Sequence, residues 1–342
     1  MIFKHGVMLE QHREESLKYP IQTVPAPEGF PRPKYFAPPK GKPGTEAILQ
    51  AAEAAGIVDE FDGVPLSQKL KRMRRLKINT VLACCADEDP YISGAAAVLR
   101  ENPDAVISGL LLAARACGAK ENKIVVETKR EAKEIRRKNP NAELIVSGTR
   151  YPARALLKRK LQAAGKKTAY VGAQACIALA QALDDGKMQS ETVITVAGDA
   201  VETPSNLRVR IGVPLQTLFD FCGVSDRARA VYIGSSIAGK MVTDLSTPVT
   251  ADTRCVIATL RVPKRKVYSC VGCGRCSRAC PRGIVPWRIL REVGREKPDP
   301  LRMLNAQKCI RCASCSLVCP SGIDLAGAVS KAAAIRKSGD FD

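Results

Sequence analysis

Residues 270–281 read CVGCGRCSRACP, and residues 309–320 read CIRCASCSLVCP. Both stretches have the spacing Cys-x2-Cys-x2-Cys-x3-Cys, followed by proline. Three thiolates separated by two residues each can surround one cubic iron-sulfur cluster, and the fourth cysteine ligates the neighbouring cluster when two are present. The repeated spacing therefore predicts an α-rich domain of the bacterial ferredoxin type with two 4Fe-4S clusters.

Because the fourth cysteine of each motif ligates the cluster of the other motif, the eight predicted ligands fall into two sets. One cluster takes Cys270, Cys273, Cys276 and Cys319, and the other takes Cys309, Cys312, Cys315 and Cys280. The competing metal is zinc, whose tetrahedral sites usually take cysteines in separated pairs. An unbroken run of three cysteines followed by Cys-Pro favours the clusters over zinc.

The chain has 14 cysteines, so six lie outside the two motifs. Four stand alone in apolar surroundings, where cysteine usually acts as a small buried hydrophobe: Cys117, Cys176, Cys222 and Cys255. Cys84 and Cys85 end a predicted strand before the acidic stretch ADEDP. They are interpreted as core residues, with a functional loop position as the alternative.

The length and the cysteine usage predict a cytoplasmic protein. A chain of 342 residues can bury several cores without help from metals or disulfides. No secretory signal is recognised, and structural disulfides are rare in a reducing compartment. No segment approaches about 18 consecutive apolar residues, so no membrane-spanning helix is predicted. Peripheral attachment to the cytoplasmic face of a membrane is the alternative location.

The net charge of +20 suits an acidic protein partner, an anionic membrane surface or nucleic acid. Aromatic residues make up 4% of the chain, and the basic residues are not gathered around a stacking platform, so nucleic-acid binding is not predicted. The stretch RYPARALLKRKLQAAGKK at 150–167 is predicted to be a basic helix. It could face an acidic ferredoxin, a flavodoxin or lipid headgroups.

Composition and periodicity divide the chain into four predicted parts. Residues 1–45 are rich in proline and predict an extended arm. Residues 46–189 alternate helical segments with the apolar runs INTVLACCA, KIVVET and AELIVSG, which predicts a Rossmann-like α/β domain with a mostly parallel sheet. Residues 190–262 predict a small α+β domain, and residues 263–342 contain the predicted ferredoxin domain.

The order of these parts resembles the C subunit of Rnf-type electron-transport complexes, over residues 56–330. More distantly, it is similar to the subunit of respiratory complex I that binds FMN and NADH. Besides the cysteine motifs, the resemblance rests on GVPLSQKL (63–70), LACCADEDPYI (82–92), SGTRYPARALLKRKL (147–161), TVAGDAVETPSNLRVRIGVPL (195–215) and YIGSSIAG (232–239).

The resemblance implies that residues 46–189 bind FMN and oxidise a dinucleotide. It also implies that residues 190–262 are a β-grasp module of the soluble-ligand-binding (SLBB) type. Gly63 and Lys69 match the family's flavin loop, and Asp87 and Glu88 match its acidic loop. These four residues are the candidates for a cofactor site.

The sequence departs from the family at several of these positions. The family's flavin loop is a glycine run, and glycines let backbone N–H groups approach a phosphate. Here EFDGVPLSQK (60–69) has Phe61, which adds bulk, and Asp62, which adds negative charge. Cys84 replaces an asparagine, YVGAQACIAL (170–179) lacks an asparagine-threonine pair, and GSSIAGK (234–240) replaces a Gly-Gly-Pro-Met loop.

Three functions follow from these observations. The first is an iron-sulfur subunit that relays single electrons, in a hetero-oligomer, between a flavoprotein or ferredoxin and a reductase or membrane complex of anaerobic metabolism. The second is an FMN-dependent NADH oxidoreductase that feeds its own clusters. The third is a basic scaffold protein in which the clusters are purely structural.

Overall fold

The structure, a computed structural model, describes residues 18–87, 89–262, 266–293 and 305–335. Contacts between residues divide the chain into two compact units, and the boundary falls between residues 262 and 263. The described parts of the two units are residues 18–262 and 266–335. The finer division of the chain into four parts stays a prediction.

The larger unit contains two β-sheets and the helices that cover them. Its strands are β1 (Ile21–Thr23), β2 (Thr80–Cys84), β3 (Glu121–Val126), β4 (Leu144–Val146), β5 (Thr168–Gly172), β6 (Glu191–Ala197), β7 (Ser205–Arg210), β8 (Ala230–Ile233), β9 (Lys240–Val242) and β10 (Cys255–Thr259). Its helices are α1 (Thr45–Ala54), α2 (Leu66–Arg75), α3 (Gly94–Glu101), α4 (Pro103–Cys117), α5 (Lys129–Lys138), α6 (Ala153–Ala163), α7 (Ala173–Asp184) and α8 (Leu215–Cys222).

The first sheet is parallel, with the strand order β4-β3-β2-β5. Every residue of β2 is buried, as expected of a strand that is covered on both faces. Helix α4 packs closely against α7. A side chain at Gly109 of α4 would overlap the backbone of Cys176 of α7, so the close packing requires glycine at this position. The parallel α/β arrangement predicted from the sequence is confirmed, and Cys84 and Cys85 are core residues.

The second sheet is mixed, with the strand order β1-β7-β6-β10-β8-β9. Strand β1 comes from the proline-rich segment and pairs in parallel with β7 at the sheet edge, where a nearby proline is tolerated. Further along, the Phe36 N–H donates to the carbonyl of Gly186 at 2.9 Å. The described part of the segment, from residue 18 onwards, therefore pairs with its own chain at these two places.

The smaller unit contains the two cysteine motifs. Its helices are α9 (Arg275–Ala279), α10 (Pro286–Val293), a 3₁₀ turn (Ala306–Lys308), α11 (Ser314–Leu317) and α12 (Leu325–Ile335). Ile284, Ile289 and Val329 form its apolar core. Across the described residues of both units, no helix is long and apolar enough to cross a membrane.

Candidate functional site

Four cysteines of the smaller unit line one cavity. They are Cys270, Cys273, Cys276 and Cys319, the set predicted for one cluster. The wall is completed by apolar groups that include Val271, Trp287 and Leu325. The structure therefore brings a cysteine of the second motif to the three cysteines of the first.

The other predicted set lines a second cavity in the same unit. Its cysteines are Cys280, Cys309, Cys312 and Cys315, so the exchange between the motifs is reciprocal. Ile284, Ile310 and Val329 line the same cavity. Neither motif supplies four cysteines to one cavity by itself.

The two motifs share one backbone conformation, which turns each chain segment around its cavity. Gly272 and Gly274 have φ values of +66° and +68°, and the equivalent Arg311 and Ala313 both have +56°. This left-handed region is unfavourable for residues with a side chain. The second motif adopts it without glycine, so the turn does not require glycine at these positions.

The cysteine side chains fit a cluster better than a single ion. Within the described ranges, no three His, Cys, Asp or Glu side chains converge closely enough to hold one metal ion. A zinc site would need its sulfur ligands about 2.3 Å from one point. Cysteines that surround an open volume instead suit a cubic cluster, which takes four thiolates.

Burial resists ionisation of the Cys315 thiol in the absence of metal. It raises the pKa of Cys315 to about 12, and the neighbouring Cys312 and Cys309 add to the rise. Metal ligation requires the thiolate, so binding of the metal must supply the free energy of deprotonation. The Arg311 N–H donates to Cys309 Sγ at 3.4 Å and can stabilise charge on that sulfur.

A second candidate site lies in the larger unit, where the loop of residues 57–66 corresponds to the predicted flavin loop. The Asp59 N–H donates to the Val64 carbonyl at 3.0 Å, and the Leu66 N–H donates to the Ile57 carbonyl at 2.7 Å. Gly63 has a φ of +66° and donates its N–H to the Asp59 carbonyl. The loop is thus closed by its own backbone.

Two carboxylates of this loop cover the beginning of helix α7. The Gly172 N–H donates to Asp59 Oδ2 at 2.9 Å. The N–H groups of Gln174 and Ala175 donate to the two Glu60 oxygens at 2.9 and 3.1 Å. Burial, and then the charge of Asp59, raise the pKa of Glu60 to about 8.

Lys69 is bound within the same loop. Its Nζ lies 2.8 Å from Asp59 Oδ2 and 2.7 Å from Asp62 Oδ2, and its side chain is 13% exposed. Burial alone would lower the pKa of Lys69, but the two carboxylates more than offset this effect and raise it. The lysine is an ion-pair partner of the loop.

The predicted acidic loop turns inward. Asp87 is buried and accepts a hydrogen bond from the Ala96 N–H at 3.1 Å. Asp89 is buried too and accepts from the Ser235 hydroxyl and the Ser236 N–H, both at 2.8 Å. Glu88 lies outside the described residues. At the two described positions, the carboxyl groups therefore accept hydrogen bonds from other groups of the same chain.

These residues do not fit an FMN phosphate. The three N–H groups at the beginning of α7 already have carboxylate partners, and the lysine already has two. A phosphate at this place would meet Asp59 and Glu60 directly. Sequence reasoning singled out Phe61, Asp62, Gly63 and Lys69 of this loop, but neither Asp59 nor Glu60.

Two family models match the chain. The 4Fe-4S dicluster domain matches residues 269–323. The Nuo51 FMN-binding domain matches residues 53–201. These matches agree with the fold and with the cysteine cavities: the chain is an iron-sulfur protein in which an α/β domain of the Nuo51 type precedes a dicluster domain.

Curated relatives define the family more closely. The chain is 30% identical over 263 residues to the C subunit of the ion-translocating oxidoreductase complex of Serratia proteamaculans, covering 71% of this chain and 37% of that protein. It is 27% identical over 279 residues to the same subunit of Rhodobacter capsulatus, covering 75% and 52%. It is 26% identical over 263 residues to the C subunit of the proton-translocating ferredoxin:NAD(+) oxidoreductase complex of Clostridium ljungdahlii, covering 70% and 58%.

The chain is a homologue of these C subunits, as its motifs predicted, and it spans about a third to three fifths of their length. Among solved structures, an NAD+-reducing NiFe hydrogenase in the H2-reduced state matches with a TM-score of 0.57 at 16% identity. That match covers 85% of this chain and 60% of the hydrogenase chain. At this identity it supports the fold alone.

Proposed function

We propose that the chain is the electron-transfer subunit of a multi-subunit redox complex and relays single electrons between a flavoprotein or ferredoxin and a reductase. The observation that carries the proposal is the reciprocal exchange of Cys280 and Cys319 between two four-cysteine cavities of one unit. When bound, two 4Fe-4S clusters supply one-electron carriers within a single domain. Two sets of four cysteines would determine the number and the position of these clusters.

The described surface of the smaller unit is strongly basic. It contains nine basic residues and two acidic ones, and all nine basic side chains are exposed. The basic residues are Lys266, Arg275, Arg278, Arg282, Arg288, Arg291, Lys308, Arg311 and Lys331, and the acidic residues are Glu292 and Asp324. Opposite charge steers redox partners towards each other and raises the rate of association. We infer an acidic ferredoxin or flavodoxin as the partner.

Exposed apolar side chains lie beside the cysteines of this surface. Val271 follows Cys270 and is 70% exposed, and Ile310 follows Cys309 and is 46% exposed. A patch of apolar residues within a charged rim is typical of a protein interface. A partner that covers it would exclude water from the groups nearest the cavities.

The finer architecture belongs to the same proposal. Helix α8 packs its Leu218 and Phe219 with Ile194 and Leu207 of the mixed sheet. One helix on one sheet supports an SLBB-type β-grasp module for residues 190–262. Peripheral attachment of the complex to the cytoplasmic face of a membrane is also proposed, because the basic surface suits anionic lipid.

Electron transfer to an acidic partner tests this function. The full chain, purified without oxygen and reduced with dithionite, is mixed with oxidised acidic ferredoxin in a stopped-flow instrument. We expect the second-order rate to fall at least about tenfold from low to high ionic strength. Arg275→Glu with Lys308→Glu should lower the low-salt rate by a similar factor.

The matched control has the same charge change on helix α5 of the larger unit, Lys133→Glu with Arg137→Glu. Both of these side chains are exposed. The control should keep the wild-type rate at low salt. Equal loss in both variants, or a rate that ignores salt, would contradict a docking surface on the smaller unit. Failure of the reduced chain to transfer electrons would support a scaffold.

The competing function is an FMN-dependent NADH oxidoreductase, which the match to the Nuo51 FMN-binding domain favours. The contacts of Lys69, Asp59 and Glu60 oppose it. Bleaching of the purified chain by NADH, with no partner added, would support this competing function.

A further inference from the structure

The beginning of helix α7 would be an anion site in the absence of the loop at 57–66. The first N–H groups of a helix have no partner within the helix and carry partial positive charge, so they bind phosphates. Here two carboxylates from the loop take these N–H groups at hydrogen-bond distance. A side chain at Gly172 would overlap the Glu60 carboxylate, so no space separates the loop from the strand.

The aromatic residue of the loop is held as firmly as its carboxylates. Phe61 lies between two guanidinium groups, with Arg154 at 4.1 Å and Arg254 at 4.9 Å from the ring centroid. Such cation–π contacts are attractive, because a guanidinium charge interacts favourably with the face of an aromatic ring. The Phe61 N–H also donates to Asp59 Oδ1 at 3.0 Å. The ring is therefore fixed by both guanidinium groups and by its own backbone.

The loop is anchored at its base as well. The Val58 N–H donates to Gln189 Oε1 at 2.8 Å, and Gln189 returns a hydrogen bond to the Val58 carbonyl. Displacing the loop would break these bonds together with the ion pairs of Lys69. It would also separate the buried Asp59 from Lys69, and breaking a buried ion pair is costly. A ligand would have to offset all of these losses.

We propose that residues 59–62 are a built-in plug, which fills the phosphate site of an FMN-type domain with the chain's own carboxyl groups and makes the domain complete without a flavin. Asp59 and Glu60 take the place of phosphate oxygens on α7, and Phe61 fills the space between Arg154 and Arg254. The domain keeps the fold of its flavin-binding relatives and serves as a rigid part of the assembly.

Flavin binding by the full chain tests the plug. Anaerobically purified wild type is incubated with FMN and gel-filtered, and the flavin that remains per chain is measured. We expect none to remain, and we expect FMN to leave the melting temperature unchanged. In the double variant Asp59→Gly, Glu60→Gly, the N–H groups of α7 and Lys69 lose these carboxylate partners. FMN affinity should rise by at least about tenfold, and FMN should raise the melting temperature.

The matched control is Asp89→Ala, which removes a buried carboxylate of the same unit. It should lose stability without gaining any response to FMN. Inorganic phosphate is the second probe, and it should stabilise the double variant but neither the control nor wild type. If the double variant does not fold, the single variant Glu60→Gly gives the same comparison.

Stoichiometric FMN in wild type overturns the plug, and so does a folded double variant that responds to neither FMN nor phosphate. These outcomes are separate from the proposed electron relay. A chain with flavin and a full complement of iron would refute the plug alone. A chain with neither flavin nor iron would refute the relay alone.

Discussion

The Glu60 carboxyl group should make the larger unit less stable as pH rises through neutrality. Burial and the charge of Asp59 raise its pKa from an ordinary 4.5 to about 8. Between these two values the folded chain keeps a proton that the unfolded chain has released, so stability falls as pH rises. The loss is absent below the unfolded pKa and complete above the folded one.

The size of the effect follows from the two pKa values. At about 1.4 kcal/mol for each tenfold change in proton affinity, the full loss is at most about 5 kcal/mol. About 3 to 4 kcal/mol of it falls between about pH 5 and about pH 8. Glu60→Gln has a similar shape and no proton to release. It gives up one acceptor oxygen, which costs about 1 to 3 kcal/mol at every pH.

The assay is urea unfolding of the anaerobically prepared chain, followed by far-ultraviolet circular dichroism over this pH range. Glu60→Gln should be less stable than wild type at the acidic end and should overtake it towards the alkaline end. Glu53→Gln removes a carboxylate that is 65% exposed and should differ from wild type by the same small amount throughout. A constant difference between Glu60→Gln and wild type would refute the reasoning.

Two further substitutions test individual contacts. Cys319→Ser should remove one of two clusters and lower the iron content from about eight to about four atoms per chain, whereas Cys222→Ser, at a buried cysteine of the larger unit, should leave the iron unchanged. Lys69→Met leaves the buried Asp59 without its cation and should cost about 3 kcal/mol in urea unfolding. The comparison is Lys71, which forms an exposed ion pair with Glu53, and Lys71→Met should cost less than about 1 kcal/mol. Iron that is retained in Cys319→Ser, or equal losses at the two lysines, would contradict these assignments.

Local patterns predicted the three strands β2, β3 and β4 of the parallel sheet. The apolar runs that became β2, β3 and β4 are short and rich in β-branched residues, so their sequence alone indicates strands. Helix α2 was not predicted, because GVPLSQK was interpreted as part of the family's flavin loop. The signal was present: Leu66, Leu70 and Met73 follow helical spacing, and all three are buried.

Long-range pairings were beyond the sequence. Strand β1 has three residues and no periodicity, and its partner on β7 is more than 180 positions away, at Ile21 opposite Asn206. In the same way, the Glu60 carboxyl group accepts a hydrogen bond from the N–H of Gln174, which is 114 positions away along the chain. A carboxyl group in a loop resembles a solvated side chain until the helix that contacts it is known. The departures from the family loop indicated an altered site, but not which residues fill it.

The cysteine cavities were the most predictable feature, because eight ligands in two repeated motifs leave few alternative arrangements. The second motif adopts the same left-handed turns at Arg311 and Ala313 without the glycines of the first. The repeated spacing of the cysteines, which the sequence displays directly, thus accompanies a repeated backbone conformation.

The central claim is that one chain holds two redox-active 4Fe-4S clusters for single-electron transfer. Its most direct test is the iron and acid-labile sulfide content of the anaerobically purified full chain, with electron paramagnetic resonance before and after reduction by dithionite. The account predicts about eight iron and about eight sulfide atoms per chain, and signals of reduced clusters that appear on reduction. Bound zinc, about four iron atoms or fewer, or clusters that dithionite does not reduce would contradict it.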